Sequence, residues 1–147
     1  MEILRVDSAR TLADFIDIPF SLYSKDPNYI SQLKKDLRKH FSEENPFRKH
    51  ADVKYFIAKD GRELIGRIAS IINYRHMEFQ KEMAGFFGFF ESVNDKEVGA
   101  GLLDAVNAEL KEKGLKIMRG PMNFSTNEEC GFLTEGFDSP PHAHDAL

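Results

Sequence analysis

The stretch Gly85-Phe86-Phe87-Gly88-Phe89-Phe90-Glu91 decides the fold class. It is apolar at successive positions, so neither face of a strand built from it is marked for water. That pattern suits a central strand covered by helices on both sides better than a surface strand. Working outward toward the C-terminus, Asn94 and Glu97 have the spacing of a capping box, and Val98, Leu102, Val106 and Leu110 trace one helix face to a stop at Gly114. Residues 115–119 supply another short strand. The order strand, helix, strand predicts a βαβ unit with two parallel strands side by side.

Toward the N-terminus, Val53, Tyr55 and Ile57 interleave with Lys54, Phe56 and Ala58 in a strand, Asp60-Gly61 signals a tight turn, and residues 64–73 make the antiparallel partner. The 85–91 strand is therefore expected between 64–73 and 115–119. Before the Asn45-Pro46-Phe47 break, Asp26 and Pro27 read as cap and first turn of a helix. Its apolar face is Ile30, Leu33, Leu37 and Phe41, with Lys34, Lys35, Arg38 and Lys39 outward. The chain opens with a strand at 3–6 and a helix capped by Ser8, running through Leu12, Phe15 and Ile16 and ended by Pro19. The expected fold class is α/β, a mixed sheet of about five strands flanked by helices.

Composition bounds the function. A chain of 147 residues with 41% hydrophobic residues and 13 Phe can build one core, and a net charge of −4 with 30% charged residues fits a folded cytoplasmic protein. No apolar run approaches a bilayer span, and Met1 to Asp7 lacks the pattern of a signal peptide. The acidic balance argues against nucleic acid as a partner. Charge is uneven: Lys34 to Lys54 is rich in Lys and Arg, whereas the stretch after Asn127 carries only acidic charges. Cys130 is the only cysteine, which excludes an internal disulfide and argues against a cysteine zinc site.

Asp26-Pro27-Asn28-Tyr29, Asn45-Pro46-Phe47, Gly66-Arg67-Ile68-Ala69, the 85–91 strand, Gly120-Pro121-Met122-Asn123 and Gly136-Phe137-Asp138-Ser139-Pro140-Pro141 together carry a resemblance. As a set they resemble the N-terminal portion of a poorly characterised group of bacterial GNAT-like proteins, similar in fold to the N-acetyltransferase superfamily. The resemblance implies an acyl-CoA-dependent N-acyltransferase with an amine acceptor. Acetyl-CoA or another acyl-CoA would lie where the 85–91 strand splays from the next one. It implies cofactor contacts at Phe90, Glu91, Ser92, Val93, Lys96, Gly99 and Gly101. It further implies a single domain over residues 1–141 that lacks the fold's last elements, with 142–147 a loose tail.

The physical basis of such a site is that strand amides bond the pantetheine arm and a helix N-terminus receives the pyrophosphate. Against it, Asp95 and Glu97 stand where dianionic phosphate would lie, and their plainer role is to complement the helix dipole while Gly99 and Gly101 allow close packing. The alternative function is accordingly a non-catalytic GNAT-like binding or assembly module. Glu128 and Glu129 are the candidates for taking the amine proton, against a solvated acidic loop. Asn123, Ser125 and Asn127 alternate after a strand as candidate substrate-liners, against simple turn capping. His142 and His144 have metal-ligand spacing but lie at a chain end, so no metal is expected. Nor do His40, His50 and His76, set among charged residues, suggest a nucleophilic triad. The 115–119 strand would form an open sheet edge, from which a homo-oligomer is expected.

Overall fold

The computed structural model describes residues 1–22 and 34–123. Five strands form one sheet in the order β1-β2-β3-β4-β5, comprising Glu2–Arg5, Ala51–Asp60, Glu63–Asn73, Ala84–Ser92 and Ile117–Arg119. Pairing is antiparallel from β1 through β4, and β4 to β5 is parallel. The 85–91 stretch thus lies inside the sheet between β3 and β5, where its two apolar faces require it. The β2–β3 hairpin turns at Gly61, whose φ of +61° lies in the left-handed region that glycine tolerates without steric cost.

Helices cover both faces. On one, α1 (Ala9–Leu22) and α2 (Lys34–Phe41) close a core of Phe15, Ile16, Phe41, Tyr55, Ile57 and Phe89. On the other, Val98, Leu102, Val106 and Leu110 of α4 (Lys96–Glu112) pack on Phe56, Ile68 and Ile72. The α4 face is the one its spacing predicts. Its C-terminus has the predicted glycine stop: Gly114 at φ +81° lets Leu115 N–H reach Leu110 O at 2.9 Å and Gly114 N–H reach Lys111 O at 2.9 Å.

Two local expectations are corrected and one element is added. Pro19 does not end α1, which continues to Leu22 with Pro19 buried inside it. Proline removes the donor for the carbonyl four residues earlier, that of Phe15. Arg67 Nη1 replaces it at 3.0 Å, so the helix continues at no cost in unsatisfied polar groups. The cap of α4 is Asp95 rather than Asn94, its Oδ1 accepting from Glu97 N–H at 2.9 Å. A short helix unmarked by the sequence reading, α3 (Tyr74–Gln80), follows β3 and is capped by Asn73, which accepts from His76 N–H at 3.1 Å. Ser8 caps α1 as expected, accepting from Thr11 N–H at 3.2 Å. The predicted start of the second helix at Asp26 and Pro27 lies outside the described residues, whereas Leu37 and Phe41 pack inward as expected.

Candidate functional site

The parallel β4–β5 ladder is short. It joins Ala84 to Ile117, Gly85 to Met118 and Phe86 to Arg119. Beyond Arg119 the chain turns at Gly120, φ +153°, where a Cβ would lie 2.6 Å from Phe87 O. It then passes so close to β4 that a Cβ on Gly88 would collide with the Met122 carbonyl oxygen and sit 3.0 Å from its carbon. Two hydrogen bonds hold this passage: Met122 N–H donates to Phe87 O at 2.9 Å, and Phe89 N–H donates to Asn123 Oδ1 at 2.8 Å. A side-chain carbonyl thus takes a strand amide where the ladder has stopped.

That amide belongs to a β-bulge. Between Arg67 and Ala69 of β3 the register advances two residues, while β4 advances three, from Gly88 to Glu91. Phe89 takes up the extra residue with φ +52°, a left-handed conformation that costs a bulky residue about 1 kcal/mol. The bulge also shifts the side-chain phase. Phe86 and Phe89, three apart, share the α1–α2 core, and Phe87 and Phe90 share the α4 core.

Arg67 braces the bulge from behind. Only 8% exposed, it donates from Nε to Phe89 O at 3.1 Å and from Nη1 to Phe15 O at 3.0 Å. Its guanidinium lies 4.7 Å from the Phe15 ring centroid and 5.7 Å from that of Phe41, so the aromatic faces solvate part of its charge. The surrounding wall is aromatic. Phe41 meets Phe89 edge-on at 4.8 Å, and Tyr55 donates its hydroxyl proton to Phe41 O at 3.1 Å. Burial pushes the Tyr55 hydroxyl up to about 12 despite the opposing influence of Arg48 and Arg67, which makes it a donor rather than a base.

His40 stands 6.1 Å from the Phe89 ring. Burial lowers its pKa from 6.5 and so favours the neutral imidazole. Asn45 fixes the turn beneath it, donating from Nδ2 to His40 O at 2.8 Å.

The α4 N-terminus faces the phosphate question. Asp95 already engages Glu97 N–H, and Lys96, beside it, is exposed. Gly99 has room: a Cβ there would meet the Phe90 ring at an ordinary 3.5 Å, while one on Gly101 would face Met1 at 3.2 Å and Ile3 at 3.5 Å, against β1. Phe90 packs into the α4 core, and Glu91 lies opposite Arg67 in the β3–β4 register. Ser92 Oγ donates to Val93 O at 2.8 Å, and Val93 N–H donates to Ile65 O at 2.9 Å. Of the residues singled out in the sequence, Asn123 therefore meets the bulge at the Phe89 amide, whereas Phe90 packs on the α4 side near Gly99, and Lys96 and Gly99 lie at that helix's start. Glu128, Glu129, Ser125 and Asn127 lie outside the described residues. Arg67 and His40 escaped notice as site residues. The signal for Arg67 was a charge in phase with inward-facing Ala69 and Ile71, whereas nothing in the sequence places His40 against Phe89.

Elsewhere, Glu82 bonds Arg119 in a two-pronged pair at 2.9 and 2.8 Å and meets His76 at 3.4 Å, tying the start of β4 to the end of β5. Arg119, and after it His76, hold the Glu82 carboxyl below its usual range. A groove of about 400 Å³ over Ile3, Phe56 and Ala105 contains the Arg5–Glu109 ion pair, 2.8 Å apart, on the α4 side away from the bulge's aromatic wall. Among the described residues no group of three or more His, Cys, Asp or Glu is placed to hold a metal, and no helix is long and apolar enough to cross a membrane.

No protein-family model matches the chain. It is 38% identical over 132 residues to Protein YghO of Escherichia coli (strain K12), covering 90% of this chain and 34% of that protein. It is 34% identical over 143 residues to the bacterial ceramide synthase of Caulobacter vibrioides, covering 96% of this chain and 37% of that one. The chain thus spans about a third of the length of these relatives. Among solved structures, an aminoglycoside acetyltransferase from a soil metagenome, in complex with sisomicin, superposes with a TM-score of 0.58 at 13% identity, over 83% of this chain and 77% of that one. A predicted acetyltransferase of Clostridium acetobutylicum with acetyl-CoA gives 0.54 at 16%, over 80% and 78%. A GNAT-family acetyltransferase of Staphylococcus aureus gives 0.51 at 16%, over 84% and 75%. At these identities the likeness is one of fold. The five-stranded mixed sheet flanked by helices is the fold of the GNAT acetyltransferases.

Proposed function

We propose that this domain is the donor-binding part of an acyl-CoA-dependent N-acyltransferase, taking its acyl group to an amine. The observation that carries the reading is the bulge at Phe89 beside the end of the β4–β5 ladder, a strand amide whose partner is a carbonyl oxygen from a side chain. A thioester carbonyl presented there would meet a preorganised donor in a largely apolar wall, where a hydrogen bond gains most as charge develops on oxygen. Attack by the amine nitrogen on the thioester carbon forms the amide and expels the CoA thiolate, which takes up the proton the amine loses. The name of the Caulobacter relative extends this to a lipid amine, because a ceramide is an N-acylated long-chain amino alcohol.

The α4 N-terminus favours a second reading, a binding or assembly module without turnover. There Asp95 occupies a helix donor and Glu97 adds charge in the first turn. Repulsion between these carboxylates and a pyrophosphate is comparable to the attraction of the helix dipole. One experiment separates the two. Acetyl-CoA is titrated into the chain while amide NMR shifts are followed, alongside Asp95→Asn/Glu97→Gln. Movements confined to Phe89 through Gly101, strengthened in the double variant, support the donor site; saturating acetyl-CoA with no movement there defeats it.

A further inference from the structure

Arg67 is a charged side chain in the core with a geometric task. Its Nε holds the Phe89 carbonyl at 3.1 Å on the α1 side of β4. In a trans peptide the carbonyl and the next N–H point in opposite directions. The Phe90 N–H therefore points away from Arg67, while one peptide earlier the Phe89 N–H meets Asn123 Oδ1 at 2.8 Å. The left-handed φ of +52° at Phe89 turns the backbone between that amide and the carbonyl that Arg67 holds. Arg67 is itself anchored. Its Nη1 bonds Phe15 O, a carbonyl left without a helical donor because Pro19 follows four residues later. Pro19, Phe15, Arg67 and Phe89 thus form one continuous brace from α1 to the bulge.

We propose that Arg67 is a positioning residue for acyl-donor recognition. By holding the Phe89 carbonyl it fixes the bulge that aims the Phe89 amide at a carbonyl oxygen beyond the end of the β4–β5 ladder, and the Asn123 carboxamide occupies that place until the donor's carbonyl displaces it. The proposal rests on the acyl-CoA reading above and adds a residue behind the strand that touches no substrate. It accounts for a charge at a core position, for a proline inside α1, and for a side-chain carbonyl on a strand amide.

The test measures binding of acetyl-CoA and of CoA, which lacks the acyl carbonyl, to the wild-type chain, Asn123→Ala, and Asn123→Ala/Arg67→Lys. Removing the placeholder should tighten acetyl-CoA about fivefold, the worth of one neutral hydrogen bond, and leave CoA unchanged. Lysine keeps the charge but cannot span both carbonyls, so the double variant should lose that gain and still bind CoA. A fivefold gain that survives in the double variant overturns the positioning role while leaving the donor reading intact. If no variant binds either ligand, the donor reading fails. In that event hydrogen exchange at Phe89 and Phe90 in Arg67→Lys decides the brace by itself: faster exchange and shifted amides uphold it, and unchanged amides overturn it.

Discussion

Gly88→Ala is the substitution on which the closure of β4 against the Gly120–Asn123 segment can be measured. The added Cβ would run into the Met122 carbonyl group, backbone against backbone, and would also approach Ile71 Cδ1 to 3.2 Å. A side-chain tip could swing aside; the Met122 peptide can move only by lifting away from β4. Lifting it breaks the Met122–Phe87 bond of 2.9 Å and the Phe89–Asn123 bond of 2.8 Å. Two such bonds are worth about 2 kcal/mol. Loss of glycine's freedom in the unfolded chain offsets about 0.4–1 kcal/mol, leaving a net destabilisation of about 1–1.5 kcal/mol. For a domain of this size that lowers Tm by about 3–6 °C.

The same substitution at Gly99 should have the opposite sign. There the Cβ meets only the Phe90 ring at 3.5 Å, and alanine inside a helix gains about 0.5–1 kcal/mol over glycine. Thermal melts followed by circular dichroism, with hydrogen exchange at the Phe89 amide, measure both. A Gly88→Ala protein that melts at or above wild type with Phe89 still protected would refute the reasoning.

Arg67→Met should destabilise by about 2–5 kcal/mol in urea titrations, because the carbonyls of Phe15 and Phe89 both lose a buried donor. The His40 pKa is lowered by burial from 6.5, so the unfolded chain takes the proton first. Stability attributable to His40 should be intact above pH 6.5, fall as the pH drops below it, and level off below the folded pKa, with His40→Gln flattening that part of the urea-midpoint profile. Among the described residues β5 is an outer strand and Ile117 is 43% exposed, so the oligomer expected through this edge should shift toward monomer, by sedimentation, in Ile117→Lys. A wild-type chain that sediments as a monomer at micromolar concentration would end that expectation.

What the sequence determined by itself was whatever rests on local periodicity and capping. The α4 stripe from Val98 to Leu110, the Gly114 stop and the Asp60-Gly61 hairpin each involve neighbours within a few residues, and the inner place of β4 followed from its two apolar faces. The cap of α4 missed by one residue, because Asn94 and Asp95 are both capable and only the chain's approach to the helix chooses between them. Short α3 went unseen because it has no buried residue to set a period.

The tertiary structure alone decided the site. A run of phenylalanines contains no polar residue to mark where the alternation slips, so the bulge at Phe89 could appear only against β3. Pro19 reads locally as a helix end, and it is not one because a donor distant in sequence, Arg67, satisfies the carbonyl that proline strands. Asn123 finds Phe89 only because Gly88 and Gly120 let two backbones touch. Each of these features is a hydrogen bond or a close approach between segments far apart in the chain, and such pairings leave no period in either segment from which to read them.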